Sequence, residues 1–248
     1  MADQSAFQII SDTCDELGIT RPNSLANPAT DDDRQYAAIT NKSAEAIALE
    51  PDTGWEVLQR LHLFYSVAGQ AEYDLPEDYG RLTIDTVWDR SQLTPMQGPL
   101  SPALWQTIKS GLIGNGIYFT RYRVVRSSTT PKKVFVVDPN SPNTGSPLVY
   151  EYQSTHVFCS DDYSTTSERI AADTDFCLMP PLLLSLSFKW RWRREQGLEF
   201  STFLEEYNQE LDKYTARDRP QPGFSLVGPM YRQNFLGWVN IPDTGYGH

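Results

Sequence analysis

PPLLLSLSFKWRWRREQG (180–197), followed by LEFSTFLEEYNQELDKYTARD (198–218), decides the fold. Two prolines open the first segment, where a missing N–H costs a helix nothing. Leu182, Leu183, Leu186, Trp190 and Arg193/Arg194 then recur at helical spacing, and Leu184, Phe188 and Trp192 form a second apolar stripe on another face. Two apolar faces predict two sets of neighbours. Lys189, Arg191, Arg193 and Arg194 crowd the last turns, where cations complement the carbonyl end of the helix dipole, and Gly197 supplies a left-handed cap. The second segment carries Phe200, Phe203, Tyr207, Leu211 and Tyr214 on one stripe. A connection of one or two residues makes these two helices turn back or bend sharply. Such a pair needs a helical partner.

That partner is expected at the other end of the chain. Phe7, Ile10, Cys14 and Leu17 predict an amphipathic helix capped by Gly18, with Ile19 closing a Schellman turn. Thr30-x-x-Asp33 predicts a capping box opening a second helix to about Glu50, with Tyr36, Ile39, Ser43 and Ile47 inward. Thr53-x-x-Glu56 reads as another capping box, starting a short helix through Trp55, Leu58 and His62.

Between the helical ends the period changes. Leu63–Ser66, Glu72–Leu75, Leu82–Trp88, Gly116–Arg126, Lys132–Asp138 and Pro147–Cys159 are rich in β-branched and aromatic residues, with turn chemistry at 127–131 and 139–147. Residues 99–110 predict a short helix. The expected class is therefore α+β: N- and C-terminal helices forming one helical bundle (1–62 and 179–218), an inserted antiparallel β domain (63–178), and an extended C-terminal arm (219–248). The arm has neither helical nor strand period, yet it carries Phe224, Met230, Tyr231, Phe235, Trp238 and Ile241. Each such group is worth about 1.5–3 kcal/mol on burial. It folds back along its own domain or lies on another subunit or another protein.

Composition narrows function. The 248 residues are 40% hydrophobic, and a net charge of −11 argues against a nucleic-acid reader, whose phosphate contacts come from Lys and Arg. No apolar run approaches the roughly 20 residues of a membrane helix. The N-terminal MADQSAFQIISD lacks the basic and apolar parts of a signal peptide, so synthesis in the cytoplasm is expected. Cys14, Cys159 and Cys177 show no CxxC pairing and read as buried thiols, with a 159–177 disulfide the alternative.

Chemistry is sparse. His62, His156 and His248 are the three histidines, and GxSxG, HExxH, P-loop and GxGxxG patterns are absent. GLIGNG (111–116) reads as a turn. Asp85 with Asp89 could serve glycoside hydrolysis, and His156 with Asp161 and Asp162 could hold a metal, but surface carboxylates are common on an acidic chain. No catalytic residue, cofactor or metal is expected. KWRWRR (189–194) could stack on bases, complement the helix dipole over buried tryptophans, or pair with acidic groups of a neighbour.

Two longer blocks carry a resemblance. They are EYDLPEDYGRLTIDTVWDR…LTPMQGPLSPALWQTIK (72–109) and FCLMPPLLLSLSFKWRWRREQGLEFSTFLEEYNQELDKYTARD (176–218). Both resemble adaptor proteins of tailed bacteriophages that join the portal to the tail, nearest the group related to the tail tubular protein A of short-tailed phages. The cues are YDLPEDYGR (73–81), WDR (88–90), GPLSPALWQTIK (98–109), WRW (190–192) and REQGLEF (194–200). None is a catalytic signature; their order and co-occurrence carry the likeness.

The resemblance implies a structural virion protein at the neck: a ring, usually dodecameric, under the portal, with genomic DNA passing through unread. It implies the portal protein and a tail or nozzle protein as partners. A cyclic ring needs a heterologous interface. On that footing Phe188, Trp190, Trp192 and Arg193 are expected at an inter-subunit contact, and Phe224, Met230, Tyr231, Phe235 and Trp238 on the portal or an adjacent subunit. The acidic balance would suit a channel lining. Two other classes stand beside it. One is a carbohydrate-binding or glycoside-acting protein using Trp88, Trp105, Tyr118, Tyr122 and Tyr152 as a platform. The other is a neck or tail-completion (stopper) protein of the same architecture.

Overall fold

A computed structural model describes residues 4–50, 54–110, 120–127, 129, 131–140 and 143–218. The class is mixed α+β with antiparallel sheets.

The chain opens with α1 (Ala6–Leu17) and α2 (Asp31–Leu49). Ser5 caps α1 by accepting from the Gln8 N–H. At the other end Gly18 is left-handed, and the Gly18 and Ile19 N–H groups return to Asp15 and Cys14, the expected Schellman pair. The Thr30–Asp33 capping box also forms. Asp33 is more than a cap: it is buried, and its carboxylate accepts from the Asn23 N–H at 3.0 Å, the Asn23 amide and the Thr30 N–H. The Asn23 backbone N–H foremost, then Thr30 and the Asn23 side chain against the opposing effect of burial, hold its pKa at about 2, below the ordinary 3.8. A depressed carboxylate stabilises the fold in full above 3.8 and loses that contribution as pH falls toward 2. Asp33→Asn is therefore expected to lower the urea midpoint at pH 6, with the gap to the parent closing between pH 3.8 and 2. A gap unchanged at pH 2 would contradict this role for the charge.

The residues expected to form a third helix take another course. Glu56–Leu58 make one 3-10 turn, and Gln59–Tyr65 form strand β1, so His62 lies on a strand and the β region begins before residue 63. Trp55 and Leu58 are buried with the helices, and the Trp55 Nε1–H donates to the Ile47 carbonyl at 2.7 Å. From Gln59 onward, pairing with a strand some ninety residues later overrides the local helical spacing. Thr53, the other half of the expected cap, lies outside the described residues.

Next come β2 (Glu72–Asp74), β3 (Tyr79–Leu82), β4 (Trp88–Asp89), β5 (Thr94–Pro95) and helix α3 (Pro102–Lys109). They are followed by β6 (Arg121–Arg126), β7 (Lys133–Asp138) and β8 (Pro147–Ser154). The strand expected over 82–88 is broken by a turn in which Asp85 has φ 64°. One sheet runs β1-β8-β4-β5, with β3 also on β8; a second runs β2-β7-β6, and a bridge between Gln97 and Arg121 links them. Their core is aromatic. Tyr122, Phe135 and Tyr150 stack with 5.2 Å between successive rings, and Phe64, Tyr73 and Tyr152 close around them.

A third small sheet, β10-β9-β11 (Thr166–Ser167, Phe158–Cys159, Phe176–Cys177), precedes α4 (Pro181–Glu195) and α5 (Ser201–Asp218). Residues 157–178 were grouped by sequence with the β domain, but Val157, Phe158, Ile170 and Cys177 are buried among the helices. Hydrogen bonds fix the association: the Ala6 N–H donates to the Asp175 carbonyl, and the Leu25 and Ala26 N–H groups to the Asp173 carboxylate. Cys159 and Cys177 occupy neighbouring strands as free buried thiols, without the alternative disulfide, as does Cys14 in α1.

Helix α4 packs against α1, α2 and α5. Leu183, Leu184, Leu186, Phe188 and Trp190 are all buried. A helix apolar around most of its circumference is a buried one, and three neighbours from its own chain cover both stripes except at Leu182, which is 44% exposed. The α4–α5 turn follows the same rule as α1: Gly197 has φ 70°, and the Gly197 and Leu198 N–H groups donate to Arg194 and Arg193. Tyr207 is buried on α5, with Phe203, Leu204, Leu211 and Tyr214 partly so.

Candidate functional site

The expected contact residues on α4 are placed unevenly. Phe188 is 0% exposed, edge-on to Tyr36 at 5.8 Å, and offers a neighbour no surface. Trp190 is buried against Tyr207, with the Arg191 and Arg194 guanidiniums over its ring at 4.4 and 5.2 Å. Both are buried in the core of their own chain. Trp192 and Arg193 are half-buried; Arg193 lies over the Phe203 ring and donates to the Glu199 carbonyl. The KWRWRR run thus covers buried aromatic rings with cation–π contacts and closes the helix end. Phe224, Met230, Tyr231, Phe235 and Trp238 lie outside the described residues, as do His248, Tyr118 and residues 111–116.

The YDLPEDYGR, WDR and GPLSPALWQTIK blocks lie in the β region, and WRW and REQGLEF in α4 and the α4–α5 turn. In YDLPEDYGR, the Tyr73 hydroxyl accepts from the Val67 N–H, bracing the β1–β2 turn. Asp78 accepts from the Tyr152 hydroxyl and the Ser154 hydroxyl, each at 2.7 Å, and Arg60 lies 3.7 Å away. Burial works to raise its pKa, but those two hydroxyls and then the Arg60 charge outweigh burial and leave it lowered. Tyr79 stacks on Tyr152, and the Arg81 Nε–H donates to the Gln153 side-chain oxygen. That same Gln153 donates to the Ala48 carbonyl, tying the end of α2 to the sheet. In WDR, Asp89 caps its turn by accepting from the Ser91 and Gln92 N–H groups. In GPLSPALWQTIK, Ser101 caps α3, and Lys109 pairs with Asp138.

The candidate chemistry does not converge. Asp85 is on an exposed turn while Asp89 is committed to its cap. His156 falls in the β8–β9 connection, not within a strand, and its Nδ1 lies 3.1 Å from the Thr166 hydroxyl. Asp162 is occupied by the Ser160 and Ser164 hydroxyls, which hold its pKa at about 2. His62 sits among Phe64, Tyr150 and Tyr152, and burial pushes its pKa below the ordinary value against the opposing charge of Asp78. Among the described residues no group of three or more His, Cys, Asp and Glu could hold a metal, and no helix is long and apolar enough to cross a membrane. Tyr122 and Tyr152, counted toward a sugar-stacking platform, are buried in the aromatic core; Trp88 and Trp105 are half-buried. A cavity of about 340 Å³ between α2 and the sheet is lined by Glu45, Ala48, Tyr79, Arg81 and Gln153, the residues of the helix–sheet tie.

The sequence reading missed one surface. Along β1 the even residues Arg60, His62 and Phe64 turn inward, and Leu61, Leu63 and Tyr65 are 60%, 46% and 59% exposed on the other face. Opposed residues of paired strands share a face, so Leu63, Val149 and Trp88 lie in one row across β1, β8 and β4. Val149 is buried there between its neighbours while the row stays apolar at the surface. No further strand pairs with β1 among the described residues, so it is also a sheet edge. Full burial of each exposed side chain is worth about 1.5–3 kcal/mol, and contiguous apolar surface of this kind marks an interaction site. The signal was present as the two-residue alternation Leu61-His62-Leu63-Phe64-Tyr65, masked by aromatic residues on both faces.

No known protein-family model matches the chain, and no curated protein sequence matches it.

Proposed function

We propose that the chain is a structural virion protein, a head–tail adaptor. It forms a ring, a dodecamer as in the group it resembles, between the portal and a tail or nozzle protein, with DNA passing through unread. The observation that carries the reading is the distribution of the two cores. Helices from both ends of the chain (α1, α2, α4, α5) share one core, joined by β9 and β11, while strands β1 to β8 close around a separate aromatic one. A single helical bundle bearing an inserted β domain accounts for that distribution, and it is the architecture the phage resemblance implies. The YDLPEDYGR, WDR and GPLSPALWQTIK blocks add support, because each is engaged in building the β region.

Two further features fit. The net charge of −11 suits a surface past which DNA moves without sticking. The apolar row on the sheet and the basic, aromatic end of α4, where Trp192 and Arg193 keep some exposure, are surfaces on which a ring or its partners could close. Synthesis in the host cytoplasm and residence at the neck follow from the same reading. Co-expression with the portal protein of the same phage, followed by capture on tagged portal, tests the proposal. Retention of the chain on portal rings is expected; a chain that elutes alone at all salt concentrations would overturn it.

A further inference from the structure

We infer that in the isolated chain the apolar part of the C-terminal segment, residues 224–241, packs on the outer face of β1 and β8 of its own chain, over Leu61, Leu63 and Tyr65. This inference stands apart from the adaptor reading and does not need it.

Three observations carry it. The first is where the segment starts. Helix α5 ends at Asp218, whose Oδ2 accepts the Glu56 N–H at 2.8 Å. Glu56 begins the 3-10 turn that leads directly into β1. The thirty residues that follow Asp218 therefore set out from the root of the strand that carries the exposed apolar face.

The second is length. Residues 219–223 read RPQPG, and prolines favour an extended chain of about 3.1 Å per residue. Phe224 thus comes within about 19 Å of Asp218. Along β1, Leu61 to Tyr65 lie about 13 to 26 Å from Glu56 at strand rise. That span is enough for the first aromatic group of the segment to reach Leu61 at the near end of the apolar row.

The third is chemistry. Residues 224–241 hold Phe224, Met230, Tyr231, Phe235, Trp238 and Ile241, with Arg232 as the one charge. The face they would cover is Leu61, Leu63, Tyr65, Pro147 and Trp88, with the exposed Glu151 opposite Leu61 and the Arg90 guanidinium over the Trp88 ring. An apolar segment matches an apolar face, and its single cation has an anion at the Leu61 end of that face, Glu151.

Tethering selects the occupant. A short connection gives an effective concentration in the millimolar range. At about 1 µM protein, the chain's own segment is favoured over a second copy's by about a thousandfold.

Photo-crosslinking on the full-length chain tests this. With p-benzoylphenylalanine in place of Leu63 at about 1 µM, irradiation is expected to give a product that runs as a monomer and contains a peptide from 224–241. Linkage between two chains, linkage elsewhere, or no linkage would overturn the inference. Hydrogen exchange on Leu61→Glu/Leu63→Glu supplies a second readout. Exchange across 224–241 is expected to quicken at least about tenfold while α4 amides keep their protection. Unchanged exchange across 224–241, with α4 still protected, would overturn it as well.

Discussion

Phe135→Ala is expected to remove about 4 kcal/mol of stability, a large part of the 5–15 kcal/mol that holds a domain together. Phe135 is 0% exposed. Its ring lies between Tyr122 and Tyr150, nearly parallel to both at 10° and 13°, with Phe64 edge-on at 5.6 Å. Truncation removes the buried area, breaks three ring pairs at once, and leaves a hole between stiff aromatic neighbours that cannot collapse into it. The Tyr122 and Tyr150 phenols share that interior, and burial pushes both of their pKa values up. Urea unfolding followed by tyrosine fluorescence measures the loss. A change below about 1 kcal/mol would mean that the three rings do not stack in a closed core.

Phe188→Ala tests the burial of α4 in its own chain, with an expected loss of about 3–5 kcal/mol in the isolated chain. The ring is fully buried and packs edge-on against Tyr36 of α2, so its removal opens a cavity where α4 meets α2. Hydrogen exchange of the variant should show α1, α2 and α4 opening more readily, with β6, β7 and β8 less affected because their core is separate. If Phe188 instead belonged to a subunit interface, the isolated chain would keep its stability and only assembly would weaken. The two outcomes are exclusive.

How far the sequence was legible follows from the range of each interaction. The Gly18 cap, the Thr30–Asp33 box, the short helix α3 and the α4–Gly197–α5 turn were readable because their partners lie within a few residues. Residues 55–62 were misread for the opposite reason. Trp55, Leu58 and His62 have helical spacing, but Trp55 and Leu58 serve the helical core while His62 pairs across to Tyr150 on β8. No local signal records that division. Val157, Phe158 and Cys177 were assigned to the β domain on composition, and their place among the helices depends on α1 and α2, far away in sequence.

The surfaces were harder to read than the elements. Two apolar stripes on α4 show that the helix has neighbours on two sides, but periodicity does not say whose chain supplies them; here α1, α2 and α5 do. The outer face of β1 went unread because Phe64 and Tyr65 are both aromatic, although one turns inward and the other outward. The YDLPEDYGR, WDR and GPLSPALWQTIK blocks were legible as words before their physical work was known. Asp78, Asp89 and Ser101 turn out to hold strands, turns and a helix start in place.

The most direct test of the whole account is the mass of the complex captured on the portal. Twelve copies of a 28.2 kDa chain add about 340 kDa to the portal ring. That increment, with a closed ring of density beneath the portal in electron micrographs, is the predicted result. A portal that gains a single copy, or none, would contradict it.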